Sequence, residues 1–367
     1  MSKRFATLVA LVFVAIVGPA SAQTKPPQES KNWSAGMDLS AGDWATSSDD
    51  RPAPGVPGGF SPASERKPSW TIWVGKKPIG RVGAELRYTQ FSGSFGASES
   101  VNGGVLLWGS DITSGIYSTA NVLVGPKHYV AAGSDKSAIA DFLVNRTVGF
   151  DDGSISLFGG LKVVHAEATN ARSLTQQFIF TSKLANGNLD PRGILETYTF
   201  ASSSQTKWTG YGPVVGVEGE VCLLGSLILE GRGAVGYLPL GRAKSVAEFA
   251  GTKEGVLIEV AGGFNANPIQ QLFWYDLAPD PERAMYMTSQ KSKTTTLEGR
   301  GVIKWRFRGQ SASVDIGVGL SALRLNGLPD AARYSVPQGR APGQGAWARA
   351  TRRSIVKSPV LTVSIWF

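Results

Sequence analysis

The residues of this sequence with most chemical potential are charged side chains spaced two apart. Between Leu297 and Phe307 the even positions carry Glu298, Arg300, Lys304 and Arg306, interrupted only by Val302, while the odd positions are apolar or glycine. A strand turns its side chains to opposite faces with period two, so these charges share one face. The same division recurs along the chain. Glu85 and Arg87 oppose Leu86 and Tyr88, Glu218 and Glu220 oppose Val215, Val217 and Val221, and Glu230 and Arg232 oppose Leu227, Leu229, Val235 and Tyr237. Glu259 opposes Val256, Ile258, Val260 and Phe264, and Asp315 lies between Val314 and Ile316. Asp141 and Lys162 complete the set. Acids gather on the segments from 209 to 264 and bases on 294–307, which allows two kinds of chemistry. Separated charges would set a transverse field across a water-filled passage, and charges in contact would neutralise one another as ion pairs that fill it.

Acid–base or metal chemistry has little material. His128 and His165 are the only histidines, too few for a metal cluster. His128 with Asp135 close in sequence is the single arrangement suggestive of a hydrolase acting on envelope lipid. Gly210-Tyr211-Gly212-Pro213-Val214-Val215-Gly216 has the glycines of a nucleotide loop, but Pro213 interrupts it and no helix follows. No catalytic residue, metal or cofactor is assigned.

The elements that must hold these charges are amphipathic strands, and the last of them shows their setting. Leu361, Val363, Ile365 and Phe367 form a uniformly apolar face over about ten residues, the length at which a tilted strand crosses a bilayer. A terminal aromatic on such a strand looks like the assembly signal of outer-membrane barrels. Placing Arg or Lys against lipid at the bilayer midplane costs about 2–4 kcal/mol, so the charged faces are expected to point into a barrel. Trp305, Phe307 and Phe367 near one set of strand ends, and Tyr237 and Phe264 near the other, suit interfacial girdles.

The N-terminus reads as an export signal: Lys3 and Arg4, the apolar run Leu8 to Val17, then the small residues Ala20-Ser21-Ala22, so that residues 1–22 are expected to be removed. Taking Lys3 and Arg4 from the 37 basic residues leaves 35 against 28 acidic ones, a mature charge of about +7. Export, and the lack of a basic helix or stacking platform, argues against nucleic acid and for phosphates of lipopolysaccharide as the partner of surface cations. The single cysteine, Cys222, excludes an intramolecular disulfide, so the fold must rest on its sheet. Mean hydropathy near zero fits a wall that alternates between lipid and lumen.

Residues 23–69 are rich in Pro and Ser, clearest at Arg51 to Gly59, and are expected to be a poorly ordered periplasmic segment, with a plug inside the barrel as the alternative and the weak alternation of Trp33 to Leu39 allowing a short extra strand. The barrel is expected over 70–367. Strands are expected at 80–91, 103–110, 115–124, 136–148, 154–167, 209–222, 226–240, 243–250, 255–264, 294–307, 312–324 and 357–367, with turns at Asp111-Ile112-Thr113, Asp151-Asp152-Gly153, Leu223-Leu224-Gly225, Gly251-Thr252-Lys253-Glu254 and Gly309-Gln310-Ser311. This describes an all-β, antiparallel, up-and-down transmembrane barrel of about twelve strands, or ten if the 243–250 hairpin is lost. Short turns fall on the periplasmic side and long connections outside. The alternating stretches Gln177 to Phe180 and Thr197 to Phe200 are expected to extend one hairpin above the membrane. The basic loop 325–356, with Arg333, Arg340, Arg349, Arg352 and Arg353, is expected to meet lipopolysaccharide.

Asp141-Phe142-Leu143-Val144-Asn145, the strand Ser156 to Lys162, Trp208 to Gly216 and Gly233 to Leu238 resemble the Legionella-type major outer membrane protein family. That resemblance covers roughly 125–325 and implies a pore-forming barrel with no catalytic residue. The expected function is a narrow, porin-like channel for passive diffusion of small solutes in the bacterial outer membrane, inserted by the barrel-assembly machinery and compatible with homo-oligomers. The alternative is a non-conducting barrel that anchors the envelope or presents its loops.

Overall fold

A computed structural model describes residues 33–48, 66–101, 121–183, 189–259, 282–309, 312–330, 333–335, 346–348 and 351–367. Its strands are β1 (Trp33–Ser48), β2 (Arg66–Lys76), β3 (Val82–Val101), β4 (Asn121–Phe150), β5 (Gly153–Lys183), β6 (Leu189–Leu224), β7 (Leu227–Glu259), β8 (Glu282–Arg308), β9 (Ser313–Pro329), β10 (Arg333–Ser335), β11 (Ala346–Ala348) and β12 (Thr351–Trp366). Ten of them form a closed antiparallel barrel in the order β1-β12-β9-β8-β7-β6-β5-β4-β3-β2, and β10 and β11 pair separately. No helix among the described residues is long and apolar enough to cross a membrane.

Closure is made by β1 against β12, in register from Ser34↔Trp366 to Ser48↔Arg352. Trp33 and Phe367 exchange backbone hydrogen bonds of 3.1 and 3.0 Å at the rim. Part of the segment expected to be poorly ordered is therefore wall. The barrel begins at Trp33 rather than near 70, because the alternation of Ser34, Gly36, Asp38 and Ser40 with Ala35, Met37 and Leu39 pairs on both sides, with β12 and with β2.

The barrel has ten strands rather than twelve although β1 and β2 are gained, because expected strands run together. The expected strands 226–240 and 243–250 and the described part of 255–264 are one strand, β7, which runs to Glu259, while 260–264 lie outside the described residues. Gly251 to Glu254 is no turn; these residues pair with Phe200 to Thr197 on β6. The link near Leu240-Gly241-Arg242 is a bulge, where the register against β8 shifts between Leu238 and Gly241. A bulge inserts a residue and exchanges the faces, so that inward positions are even up to Leu238 and odd from Gly241 onward. The expected strand 103–110, most of 115–124 and the turn at Asp111-Ile112-Thr113 lie outside the described residues.

Short connections join β2 to β3, β4 to β5 at Asp151-Asp152, β6 to β7 at Gly225-Ser226 and β8 to β9, all at the end that carries Trp33 and Phe367. Gly225 takes φ of +54°, as a tight hairpin requires. At the opposite end β4 to β8 run far past the roughly ten residues a crossing needs, with lengths of 30, 31, 36, 33 and 27 residues. The stretches around Phe178 and Phe200 pair there as an extended hairpin, Gln177↔Thr197 and Phe180↔Ile194. β1, β2, β9 and β12 have 16, 11, 17 and 16 residues. The wall is thus tall on one side of the barrel and low on the other.

Gly36 shows how tightly the inner face is packed. A Cβ at that position would stand 2.3 Å from Cζ2 of Trp73 and 2.8 Å from Cβ of Ser364. Gly36→Val is expected to destabilise the β1–β12–β2 seam by on the order of 1–3 kcal/mol. The check is urea unfolding of the reconstituted barrel, followed by the loss of its folded-form gel mobility.

Candidate functional site

The two faces of the wall are inverted relative to a soluble protein. Met37, Ile72, Leu86, Phe142, Leu161, Val217, Leu229, Leu297, Ile303, Val318, Leu361 and Val363 are exposed on the outside. Glu85, Arg87, Asp141, Lys162, Glu230, Arg232, Lys304 and Asp315 are buried in the lumen. An apolar girdle around a charged interior is the organisation a hydrocarbon solvent selects. The chain is an outer-membrane-type β-barrel. Leu361, Val363, Ile365 and Phe367, the residues of the expected assembly signal, all face outward on it.

The buried charges form a belt in which opposite signs meet across the lumen. Lys162 on β5 reaches Asp141 on β4 at 2.7 Å and Glu298 on β8 at 2.5 Å. Glu85 on β3 accepts from Arg87 Nε at 3.2 Å and from Arg232 of β7 at 3.1 Å, and lies 3.0 Å from Lys77. Glu218 on β6 is held by the same two partners, Lys77 at 2.5 Å and Arg232 at 2.6 Å. Arg300 donates to Asp38 on β1 at 2.9 Å, to Thr362 on β12 at 3.1 Å and to Glu230 on β7. Lys304 also binds Glu230. Arg306 makes a two-pronged contact with Asp315 at 2.8 and 2.9 Å and reaches Glu220 at 3.5 Å, while Trp366 Nε1 donates to Asp315 at 2.9 Å.

Aromatic rings support the guanidinium groups. Arg87 and Arg300 lie over Trp73 at 5.1 and 5.7 Å, and Arg232 lies over Phe158 at 4.1 Å. These contacts add attraction where water is excluded. Thirteen of the fourteen predicted interior residues thus enter ion pairs, in four groups within the belt, and the alternative of segregated fields gives way to paired charges.

The exception is Glu259. It ends β7 opposite Arg192, at the far tip of the extended wall and remote from the belt. Only a separate membrane strand over 255–264 would turn it into the lumen at the level of the belt, and β7 is continuous there. Two members of the belt were missed. Asp38 sits in the segment read as a leader, and Lys77 sits in the β2–β3 connection, where strand periodicity gives no signal. The alternation of Trp70, Ile72 and Val74 with Thr71, Trp73 and Gly75 would have revealed the strand that leads to Lys77.

Directly above the belt an apolar layer fills much of the lumen. Phe91, Ile139, Val164, Ala166, Trp208, Leu238, Ala243, Leu325 and Leu328 form one buried cluster, with Leu323 and Val356 packed against it. Trp208 lies flat over Gly210 and Gly241, where an added Cβ would stand 2.2 and 2.6 Å from its ring. A cavity of about 90 Å³ remains between belt and cluster, lined in part by Asp38, Ser69, Thr71, Arg87, Arg300 and Ser358. Higher still, Arg352 donates to buried Asp135 at 2.6 Å and lies 3.9 Å from Asp330.

Arg352 was expected on the outside with lipopolysaccharide. It points inward instead, because on β12 the even positions face the lumen, and Arg353 is the exposed neighbour. Arg333 lies on the small β10–β11 sheet, and Arg340 and Arg349 lie outside the described residues. The structure does not bring His128 to Asp135. The ring accepts or donates at 2.8 Å with Ser100 on an exposed face, while Asp135 faces the lumen. His165 pairs with Thr209 at 2.9 Å. No group of His, Cys, Asp and Glu suited to a metal occurs among the described residues.

No family model matches this chain, and no curated protein matches it. Among solved structures it is similar to the outer membrane protease OmpT from Escherichia coli, at 10% identity over 94% of this chain and 100% of that one, with a TM-score of 0.39. It is similar to a Pseudomonas aeruginosa FadL homologue at 8% identity, over 91% and 90% of the two chains, with a TM-score of 0.24. For the P. putida toluene transporter TodX the values are 9%, 96%, 93% and 0.22. These scores lend no chemistry to the present chain.

Lys162 is the central test of the belt, being fully buried between two carboxylates. Lys162→Met should destabilise the barrel by about 3–5 kcal/mol, since it leaves Asp141 and Glu298 uncompensated, whereas Lys162→Met with Asp141→Leu and Glu298→Leu should lose far less. Urea unfolding in phospholipid vesicles measures both.

Proposed function

We propose that this protein is a non-conducting barrel of the bacterial outer membrane that anchors and presents its tall outer wall and external connections. The observation that carries this reading is the filled lumen. Every cation of the belt, from Lys77 and Arg87 through Lys162, Arg232, Arg300 and Lys304 to Arg306, contacts a carboxylate. A layer of Trp208, Phe91, Ile139, Leu238 and Leu325 lies directly above. A hydrated ion on its way through would have to separate buried pairs and then pass an apolar constriction, both strongly unfavourable. Export through the signal at residues 1–22, insertion by the assembly machinery through the β12 face and a seat in the outer membrane belong to the same reading.

A second reading is a gated, narrow channel for small solutes, in keeping with the resemblance to the pore-forming Legionella-type family. The cavity of about 90 Å³ beside Arg87 and Arg300 favours it, since it marks a place where the filling is incomplete. Under that reading the belt must part.

Planar-bilayer recording separates the two. The intact barrel is expected to give no single-channel steps in symmetric salt at any voltage that the bilayer survives. Steps whose reversal potential in a salt gradient moves toward cations when Arg300, Lys304 and Arg306 are neutralised together would establish the channel instead.

A further inference from the structure

The charges on the outside of the wall have a pattern that neither the anchor nor the channel reading uses. Just above the apolar girdle, on three adjacent strands, Lys207 of β6, Arg242 and Lys244 of β7 and Lys291 and Lys293 of β8 are all exposed. The register brings them together: Lys207 stands directly opposite Lys244, and Arg242 directly opposite Lys291. Directly opposed side chains on one face are about 5 Å apart at Cβ, and like charges placed so work against the sheet. The bulge between Leu238 and Gly241 is what turns Arg242 and Lys244 outward. Without that extra residue their positions would face the lumen.

No ion pair to a carboxylate joins any of the five among the described residues. One acid borders the group, Glu167 opposite Lys207, and it accepts a hydrogen bond from Gln205. Immediately below, Tyr211 and Leu240 form an exposed cross-strand pair, with Leu297 close by on β8. The patch spans two strand spacings, roughly 10 Å. Its occupant must therefore offer anionic groups at the membrane surface and hydrocarbon beneath them.

We propose that this patch binds the phosphorylated headgroup of an outer-leaflet glycolipid, with phosphates held by Lys207, Arg242, Lys244, Lys291 and Lys293 and acyl chains lying on Tyr211, Leu240 and Leu297. The assignment differs from the external-loop arginines suggested by the sequence. It rests on the barrel sitting in a membrane with its long connections outward. A free phosphate would gain from the cations but would leave the apolar rim unused, which is why a lipid is the fitting source of the charge. Several juxtamembrane cations acting together bind anionic lipid strongly and with marked salt dependence.

The test uses the full chain in phosphatidylcholine nanodiscs, titrated with bisphosphorylated lipid A and followed by native mass spectrometry. Specific binding is expected, weakening steeply as ionic strength rises. Replacing all five cations by Gln should reduce affinity by about tenfold or more, while Arg81→Gln with Arg308→Gln, at the opposite rim, should leave it unchanged. Equal affinity for dephosphorylated lipid A, or an unchanged affinity in the five-fold variant, would overturn the proposal. Competition by inorganic phosphate at concentrations comparable to the lipid would reduce the patch to an ion site and overturn it too. A chain that fails to enter nanodiscs as a folded barrel would overturn the membrane reading itself, and a chain that enters but ignores lipid A would overturn only this inference.

Discussion

Ten strands enclose too little space for eight carboxylates and seven cations to keep separate shells of water. Asp38, Glu85, Asp141, Glu218, Glu220, Glu230, Glu298 and Asp315 face Lys77, Arg87, Lys162, Arg232, Arg300, Lys304 and Arg306 within one narrow belt. Neither outside nor inside is a comfortable place for them. Hydrocarbon excludes them from the outer face, at about 2–4 kcal/mol for each Arg or Lys at the midplane. Burial without partners costs more. Direct pairing across the lumen is the arrangement that meets both constraints, and it is close to neutral in sum.

This constraint sets the register. A one-residue slip of any strand would exchange its faces, sending Lys162 or Arg300 into lipid and Leu161 or Ile303 into the belt. Partners also come from strands far apart in sequence, as with Arg300 and Asp38 or Lys162 and Glu298. The belt is therefore satisfied only when β1 has closed on β12 and all ten strands are in place. The apolar cluster above it follows from the same economy of space. Trp208 can lie across the lumen because Gly210 and Gly241 leave room for its ring.

The sequence made the faces legible and the boundaries less so. Alternation in Leu297–Phe307 and around Glu85, Glu218 and Glu230 identified nearly every belt residue, because the solvent on either side of the wall imposes a period that composition cannot hide. Continuous strands were harder to see. Gly251-Thr252-Lys253-Glu254 has turn residues, yet above the membrane both faces of β7 tolerate polar groups, so periodicity fades without the strand ending. Gly241 belongs to a bulge, which breaks the period in the way a turn does. β1 was obscured by its neighbourhood, since the Pro-rich stretch from Arg51 to Gly59 sets the local composition while Ser34 to Ser40 alternates weakly. Pairing between distant strands, and hence the choice between a field and a network, is a property of closure that no local pattern encodes.

Paired charges beneath an apolar layer close the lumen to water at the level of the belt. Amine labelling of the folded barrel in vesicles with a small, water-soluble acylating reagent, read residue by residue by mass spectrometry, tests this closure most directly. Lys162 and Lys304 are expected to stay unmodified while Lys207 and Lys244 react. Acylation of Lys162 at the rate of those exposed lysines would mean that water fills the barrel, and the account would be wrong.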